Sequence, residues 1–549
     1  MNKSDNHCHA IYLAIVFAVT LALYWNSLNG YFIWDDRGLV LDNTTYLSNW
    51  KNLYDCFYKP FFGETPYYRP LLTASFIIDY QLWGTNPFGY HFTNVLLHIG
   101  NALLVYLFIL LLLKQSKIAL LASLFFAAHP VQSEAVAWIS GRNDVLLTLF
   151  ALITIILHLY WKRFQGWLRV LFYSGYLFCY MGALFTKESA LILPLLLVLI
   201  DYYYDNRRCM MQDYAGLVII SAAYYFTRII VIGETGIGLA GGELSDTVFR
   251  IIATYAYYFR MLLFPAFQSA VPDITGAVSS GHYFIYACLL LTCLAAIAIL
   301  SSNRCKEIPF SMLWVFLSLI PVCGIFPLSI PALEHRLYLG TVCFSMLLPC
   351  AAFRLSYIQT HVRKLHKTRT AVALMIPAVL ICYSAKTATR NYIWDNELSF
   401  WLSTVHDSPR STVARNNLGI AYARLENHQL AIREFKRGLE LHNRQDNAAA
   451  GLNAVLHAKI FNNLGQCYYQ LLLTRLAAEA STSSVDVQGS ETIKRLYALS
   501  RYCYQKALDS NPANNEVRNN LNDLFFVKKK FPVAEEEYRN NSIASNAQP

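Results

Sequence analysis

The chain has 549 residues, of which 55% are hydrophobic and only 15% charged. It is too long for a single core and too apolar for a soluble domain, which carries about 25% charge. The formal charge of +10 does not point to nucleic acid, because Lys and Arg collect in short loops between apolar runs. The thirteen cysteines are scattered, with neither a C-x-x-C pair nor a zinc-type Cys/His spacing, so buried free thiols are expected.

In chain order, the first apolar run covers 10–24. Asn26-Ser-Leu-Asn-Gly30 after it lacks a small-x-small cleavage site, so it reads as a retained span. Tyr31-Phe32-Ile33-Trp34-Asp35-Asp36-Arg37 follows directly. Two adjacent carboxylates where a span leaves lipid are costly unless paired or used. An interfacial anchor explains the Trp, whereas a catalytic carboxylate pair at the membrane–water boundary explains both acids. The loop over 26–91 also holds Arg69 and His91, in Tyr67-Tyr68-Arg69-Pro70-Leu71 and Asn86-Pro87-Phe88-Gly89-Tyr90-His91. A loop this long and aromatic reads as a folded functional element.

Apolar segments recur at 92–113, 118–136, 144–161, 168–185, 189–204, 214–232, 247–267, 283–300, 309–326, 336–353 and 371–384. Most approach the ~20 residues needed to cross a bilayer. Basic clusters at Lys114/Lys117, Lys162/Arg163/Arg169, Arg207/Arg208, Arg304/Lys306 and Arg354–Arg369 fall in alternate loops. All can be cytoplasmic only if one segment between 233 and 282 does not cross. The run 247–267 carries Arg250 and Arg260 among Tyr and Phe and reads as an interfacial helix. The expectation is eleven spans, with the N-terminus inside and the C-terminus outside.

This topology gathers one set of polar residues on the outer side. The set holds Asp35, Asp36, Arg69 and His91; His129 and Glu134 of His129-Pro130-Val131-Gln132-Ser133-Glu134; Arg142 of Gly141-Arg142-Asn143-Asp144; Lys187 and Glu188; and Glu334, His335 and Arg336. Acids for proton transfer beside cations for a phosphate are the ingredients of a membrane active site. The inner loops hold little except basic residues.

Beyond about 386 charge rises and long apolar runs end. Leu418-Gly419-x-x-Tyr422 with Ala431, Phe435 and Gly438 fits the tetratricopeptide helix pair of about 34 residues. Leu464-Gly465-x-x-Tyr468 with Ser500, Tyr504, Ala507 and Pro512 fits a second, interrupted by a Ser-rich insert near Ser481–Ser490. Leu521, Phe525, Ala534 and Tyr538 fit a third. The expected domains are 1–390 in the membrane and 391–549 as an α-solenoid that binds protein.

The Trp-Asp-Asp loop, Tyr-Arg-Pro-Leu, Asn-Pro-Phe-Gly-Tyr-His, His-Pro-Val-x-x-Glu-Ala-Val, Gly-Arg-x-Asp, Phe-Thr-Lys-Glu and Glu-His-Arg-Leu-Tyr-Leu stand in one order. Together they resemble the cadherin-targeting transmembrane O-mannosyltransferases and their bacterial tetratricopeptide relatives. The resemblance implies an all-α polytopic GT-C fold that moves a sugar, mannose by analogy, from a polyprenyl- or dolichyl-phosphate to Ser/Thr hydroxyls of a protein on the non-cytoplasmic face. That face would be the periplasmic side of a bacterial inner membrane or the lumenal side of the endoplasmic reticulum. It implies Asp35 and Asp36 as catalytic acids, leaning to Asp35 as base. Arg69, Arg142, Lys187 and Arg336 are then candidates for the donor phosphate, in an order the sequence does not rank. His91, His129, Glu134, Glu188, Glu334 and His335 are supporting residues. The resemblance leaves room for a divalent cation, Mg or Mn, at the phosphate, although one carboxylate pair without a His partner does not require a metal. Partners implied are the lipid-linked donor, a protein acceptor on the repeats and membrane lipids. The animal members carry more repeats, so a cadherin acceptor is not carried over. A membrane scaffold whose acids are structural, and a transporter, are the competing readings. A transporter places its ionisable groups near mid-bilayer on broken helices, whereas these cluster at segment ends.

Overall fold

The structure is a computed structural model that describes residues 3–61, 67–204, 213–233, 244–266, 268–272, 281–301, 305–323, 332–360, 366–444, 450–481 and 491–530. Helices dominate, and there is no strand among the described residues. The chain divides into two compact units: Met1–Ala270 with Ile274–Asn396, and Val271–Asp273 with Glu397–Pro549.

The first unit is that of an all-α, multi-pass membrane protein. Seven helices among the described residues are long and apolar enough to cross: His7–Asn29, Pro87–Leu113, Ile139–Trp161, Gly166–Thr186, Ala215–Ile232, Phe284–Ser301 and Glu334–Arg354. Ser116–Ala128 and Glu307–Val322 are apolar but shorter. The apolar pattern asked for eleven, and the differences have local causes. The 118–136 run breaks at His129-Pro130, because proline lacks the N–H that would continue the helix Ser116–Ala128. The 189–204 run opens as a 3-10 turn, Glu188–Ile192, leaving the helix Leu193–Tyr204. The 371–384 run lies within His366–Asn391, which contains Pro377. The 247–267 run is the helix Leu244–Leu263, and its Tyr255, Tyr258, Met261 and Leu262 pack with Val315, Leu319 and Leu337. Arg207, Arg208, Arg304, Arg363 and Lys364 lie outside the described residues.

Two proline motifs of the first loop are helix starts. Pro70 opens Pro70–Trp83, and Pro87 opens Pro87–Leu113 behind Asn86, whose side chain accepts from the Phe88 N–H at 3.2 Å. The loop has a small core of its own, built from Phe32, Val40, Leu47, Phe76 and Tyr90 with Ile139. Helix Pro87–Leu113 ties the bundle together through buried polar side chains. His98 Nδ1 meets the Tyr338 hydroxyl at 2.5 Å, and the Asn101 amide donates to the Val145 carbonyl at 2.8 Å. In an apolar surrounding such groups must find partners across helices.

The second unit contains two helical hairpins, Thr412–Arg424 with His428–Arg444 and Ala450–Ser481 with Glu491–Ser510, followed by Asn515–Lys530. Both hairpins close on the same device. A Cβ on Gly419 would lie 2.6 Å from the Phe435 ring, and one on Gly465 would lie 2.8 Å from the Tyr504 ring. Only glycine lets the aromatic of the second helix lie that close to the first. Ala534, Tyr538 and the insert 482–490 lie outside the described residues.

Candidate active site

The carboxylates of the opening loop are divided by environment. Asp36 is fully buried and anchored. Its Oδ2 accepts from the Ile33 N–H at 3.2 Å, and its Oδ1 accepts from the Ser140 N–H at 2.8 Å and from the Ser140 hydroxyl. Burial outweighs these donors and raises its carboxyl to about 7. Asp35 is exposed and has no hydrogen-bond partner among the described residues. Its carboxyl is nonetheless crowded by protein atoms, and this desolvation raises it to about 6. Exposure and crowding pull in opposite directions here, and water access decides, so the shift of Asp35 is the smaller in effect. Trp34, just before the pair, has a left-handed backbone with φ +50°. That costs a bulky residue about 1–2 kcal/mol. Its ring stacks on Trp138 at 4.9 Å and 14°, and Trp138 stacks on Trp394 at 6.0 Å.

Ser140, which holds Asp36, belongs to the turn Ile139–Gly141 that feeds the helix Arg142–Trp161. Asp144, four residues on, holds Lys187 and lies near His335. Its Oδ2 lies 2.6 Å from Lys187 Nζ and 3.7 Å from His335 Nε2. The other ring nitrogen of His335 meets Glu134 Oε1 at 2.7 Å, and the second oxygen of Glu134 accepts the Glu334 N–H at 3.0 Å. Glu334 in turn pairs with Arg390 at 2.7 Å and accepts from Gln268 at 2.8 Å. Arg69 makes a two-pronged contact with Glu188, at 3.0 and 2.7 Å, and its guanidinium lies 4.3 Å from the Tyr67 ring centre. Arg336 bonds the Tyr258 hydroxyl. Burial lowers the Lys187 ammonium; Asp144 opposes this, while Arg69 and Arg336 add to it. Lys187, Arg69 and Arg336 therefore feel one another, with Asp144 on Lys187 and Glu188 on Arg69. Burial also raises the Glu134 carboxyl above the usual range.

Of the residues singled out in the sequence, Arg69, Lys187, Glu188, Glu134, Glu334, His335 and Arg336 come together, and Asp36 reaches them through Ser140. Arg142 stands apart. It is fully buried, and every nitrogen of its guanidinium has a partner: Asn94 Oδ1 at 2.7 Å, Ser75 at 3.3 Å, the Tyr90 carbonyl at 3.0 Å and Asp79 at 2.5 Å. His129 also stands apart, bonded to the Leu262 carbonyl at 3.1 Å. His91 packs under Gly30, where an added Cβ would sit 2.9 Å from its Nε2. The sequence reading missed Arg390, Gln268 and Ser140, and it passed over Asp144 within its motif. It also left the basic side empty of acids, where Asp201 is buried with His158 at 3.0 Å, Lys162 at 3.3 Å and Tyr214 at 2.6 Å.

The donor set offers a divalent cation no ready cage: among the described residues no group of three His, Cys, Asp or Glu is placed to hold a metal ion.

No family model matches the chain, and no solved structure matches it. Curated relatives do. A protein O-mannosyl-transferase of Caenorhabditis elegans is 26% identical over 434 residues, 74% of this chain and 59% of that protein. Protein O-mannosyl-transferase Tmtc3 of Drosophila melanogaster is 24% identical over 532 residues, 81% of this chain and 56% of that one. Human protein O-mannosyl-transferase TMTC2 is 36% identical over 166 residues, 27% of this chain and 20% of that protein. The chain thus spans little more than half the length of the Caenorhabditis elegans and Drosophila melanogaster Tmtc3 proteins. It is a homologue of proteins named protein O-mannosyl-transferases, which bears out the resemblance to transmembrane O-mannosyltransferases carried by the ordered motifs of the membrane part.

Proposed function

We propose that the chain transfers mannose from a polyprenyl- or dolichyl-phosphate to Ser or Thr of a protein, on the non-cytoplasmic side of the membrane. One observation supports this reading: a single turn joins one acid of the pair, Asp36, to one of the cations, Lys187. Ser140 holds Asp36, Asp144 holds Lys187, and the two are four residues apart, about 6 Å of helix rise. A sugar phosphate bound at the cations would have its anomeric carbon near the acid-bearing loop.

In this mechanism Asp35 takes the proton of the acceptor hydroxyl as its oxygen attacks the anomeric carbon. The bond from that carbon to the phosphate oxygen breaks, with inversion. The electron pair leaves on the lipid phosphate, whose charge Arg69, Lys187 and Arg336 stabilise. Asp36 positions the loop, and Arg142 supports the fold. The helical hairpins of the second unit, read as tetratricopeptide repeats, present the protein acceptor. The test is transfer of radiolabelled mannose from polyprenyl-phosphate-mannose to a Ser/Thr acceptor by the full chain in lipid vesicles. Transfer that Asp35→Asn abolishes is the expected result. Activity untouched by that change would remove the acid from the chemistry and bring the scaffold reading forward.

A further inference from the structure

The second unit carries a groove of about 620 Å³ between the helices His428–Arg444 and Glu491–Ser510. Both are second members of their hairpins, and of the first members only Ala450–Ser481 contributes, through Tyr468. The groove is therefore distinct from a face built by the first helices. Its lining carries more cations than acids: Arg433, Lys436 and Arg495 with Glu491, and Leu496 and Tyr468 among the apolar groups; just outside it Glu434 lies 3.6 Å from Arg433. Arg433 and Lys436 are three apart on one helix, and Glu491 and Arg495 four apart on the other, so each pair shares a helix face. Burial lowers the Lys436 ammonium and nearby Arg495 adds to this while Glu440 opposes it, so Lys436 sits where water is partly excluded. The volume suits a few side chains of an extended segment rather than a folded surface.

We propose that this groove docks an acidic, partly apolar peptide segment of a partner protein, with its carboxylates on Arg433, Lys436 and Arg495 and its aliphatic side chains against Leu496 and Tyr468. Charge complementarity selects the partner, and the apolar lining favours a peptide over a purely charged polymer. The assignment does not rest on the transferase reading, because binding is read without turnover.

The experiment uses the full chain in detergent and fluorescence anisotropy. The probes are a short labelled peptide of alternating Glu and Leu, the same peptide with Lys for Glu, and a labelled oligothymidylate. The acidic peptide should bind, bind less as salt rises, and lose about tenfold or more in affinity with Arg433→Glu plus Arg495→Glu. Arg433 keeps 61% of its side chain exposed, so the single Arg433→Glu variant provides a folded control, with a smaller loss in the same direction. Equal binding of acidic and Lys peptides would overturn the proposal, as would tighter binding of the oligothymidylate. Affinity unchanged in both variants would do the same. A gain of binding on deletion of 482–490 would make the chain's own insert the occupant and also overturn it.

Discussion

At the scale of single residues, the proposed mechanism gives the two acids different work. Asn in place of Asp36 can still accept from Ser140 through its oxygen, but its NH₂ would then face the Ile33 N–H. Asp36→Asn should therefore loosen the loop, with a partial loss of transfer and a lowered melting temperature. Asp35 has no such partners among the described residues, so Asp35→Asn should leave folding intact and cost about 10²–10⁴-fold in transfer, roughly 3–5 kcal/mol of barrier. The reverse ranking, with Asp35→Asn mild and Asp36→Asn severe but fully stable, would assign the base to Asp36. The same geometry sets a pH dependence. A base must be deprotonated, so the rate should climb as pH rises to about 6, the value to which crowding raises Asp35, with the limb displaced downward by its water access. A rate that falls over that range would exclude a carboxylate base. Asp36 acts on stability in the opposite sense. Its folded value of about 7 lies above its ordinary one, so its contribution is present in acid and is lost as pH rises through 7. Arg142 and Lys187 separate support from chemistry. Lys187→Ala should weaken use of the lipid donor in a folded protein. Arg142→Ala leaves Asp79 buried and unpaired, a change that typically costs 3–5 kcal/mol, roughly enough to unfold a marginal domain. Comparable melting curves for the two variants would contradict this division.

At the scale of elements, the turn from Glu134 to Asp144 is the hinge pin of the site, and Gly141 is its tightest point. A Cβ there would lie 2.7 Å from the Ala135 carbonyl oxygen and 2.8 Å from that of Glu134, backbone atoms that cannot rotate away. Gly141→Ala should push Ser140 and Asp144 off their positions together, lowering transfer and donor affinity at once without altering any charge. If Gly141→Ala keeps wild-type kinetics, the acids and cations are not coupled through this turn. The Gly-Arg-x-Asp motif was legible in the sequence, but the roles within it were not. Residues two apart on a helix point to different sides, so Arg142 reaches Asp79 while Asp144 reaches Lys187. Arg390 was hidden for another reason. A cation at the end of an apolar helix reads as a residue snorkelling to water; only the packing of helix His366–Asn391 brings it to Glu334. The proline motifs open helices, as proline suits a first helical turn, whereas the sequence reading kept both of them inside the loop 26–91.

At the scale of the molecule, hydropathy and composition predict an apolar membrane part followed by a charged helical part, since both are properties of whole segments. The count of spans was less legible, because His129-Pro130 and the turn Glu188–Ile192 break apolar runs whose hydropathy continues through them. The boundary between the units makes the final prediction specific. The last residues of the first unit belong to the site. The Asp395 carbonyl accepts the Tyr31 N–H at 2.8 Å, Trp394 stacks beneath Trp138, and Arg390 neutralises Glu334. A chain ending at Asn396 keeps all three contacts and the whole of the membrane core. It should still hydrolyse the lipid-linked donor slowly, or transfer to a small hydroxyl acceptor, while losing modification of its natural protein. A chain ending at Thr389 lacks all three. Its Glu334 is left buried beside Glu134 without a cation, so it should lose donor turnover as well and melt at lower temperature. If the chain ending at Asn396 folds but turns over no donor, the second unit contributes directly to chemistry. If it still modifies the natural protein, the acceptor is chosen by the first loop and the membrane helices rather than by the helical hairpins.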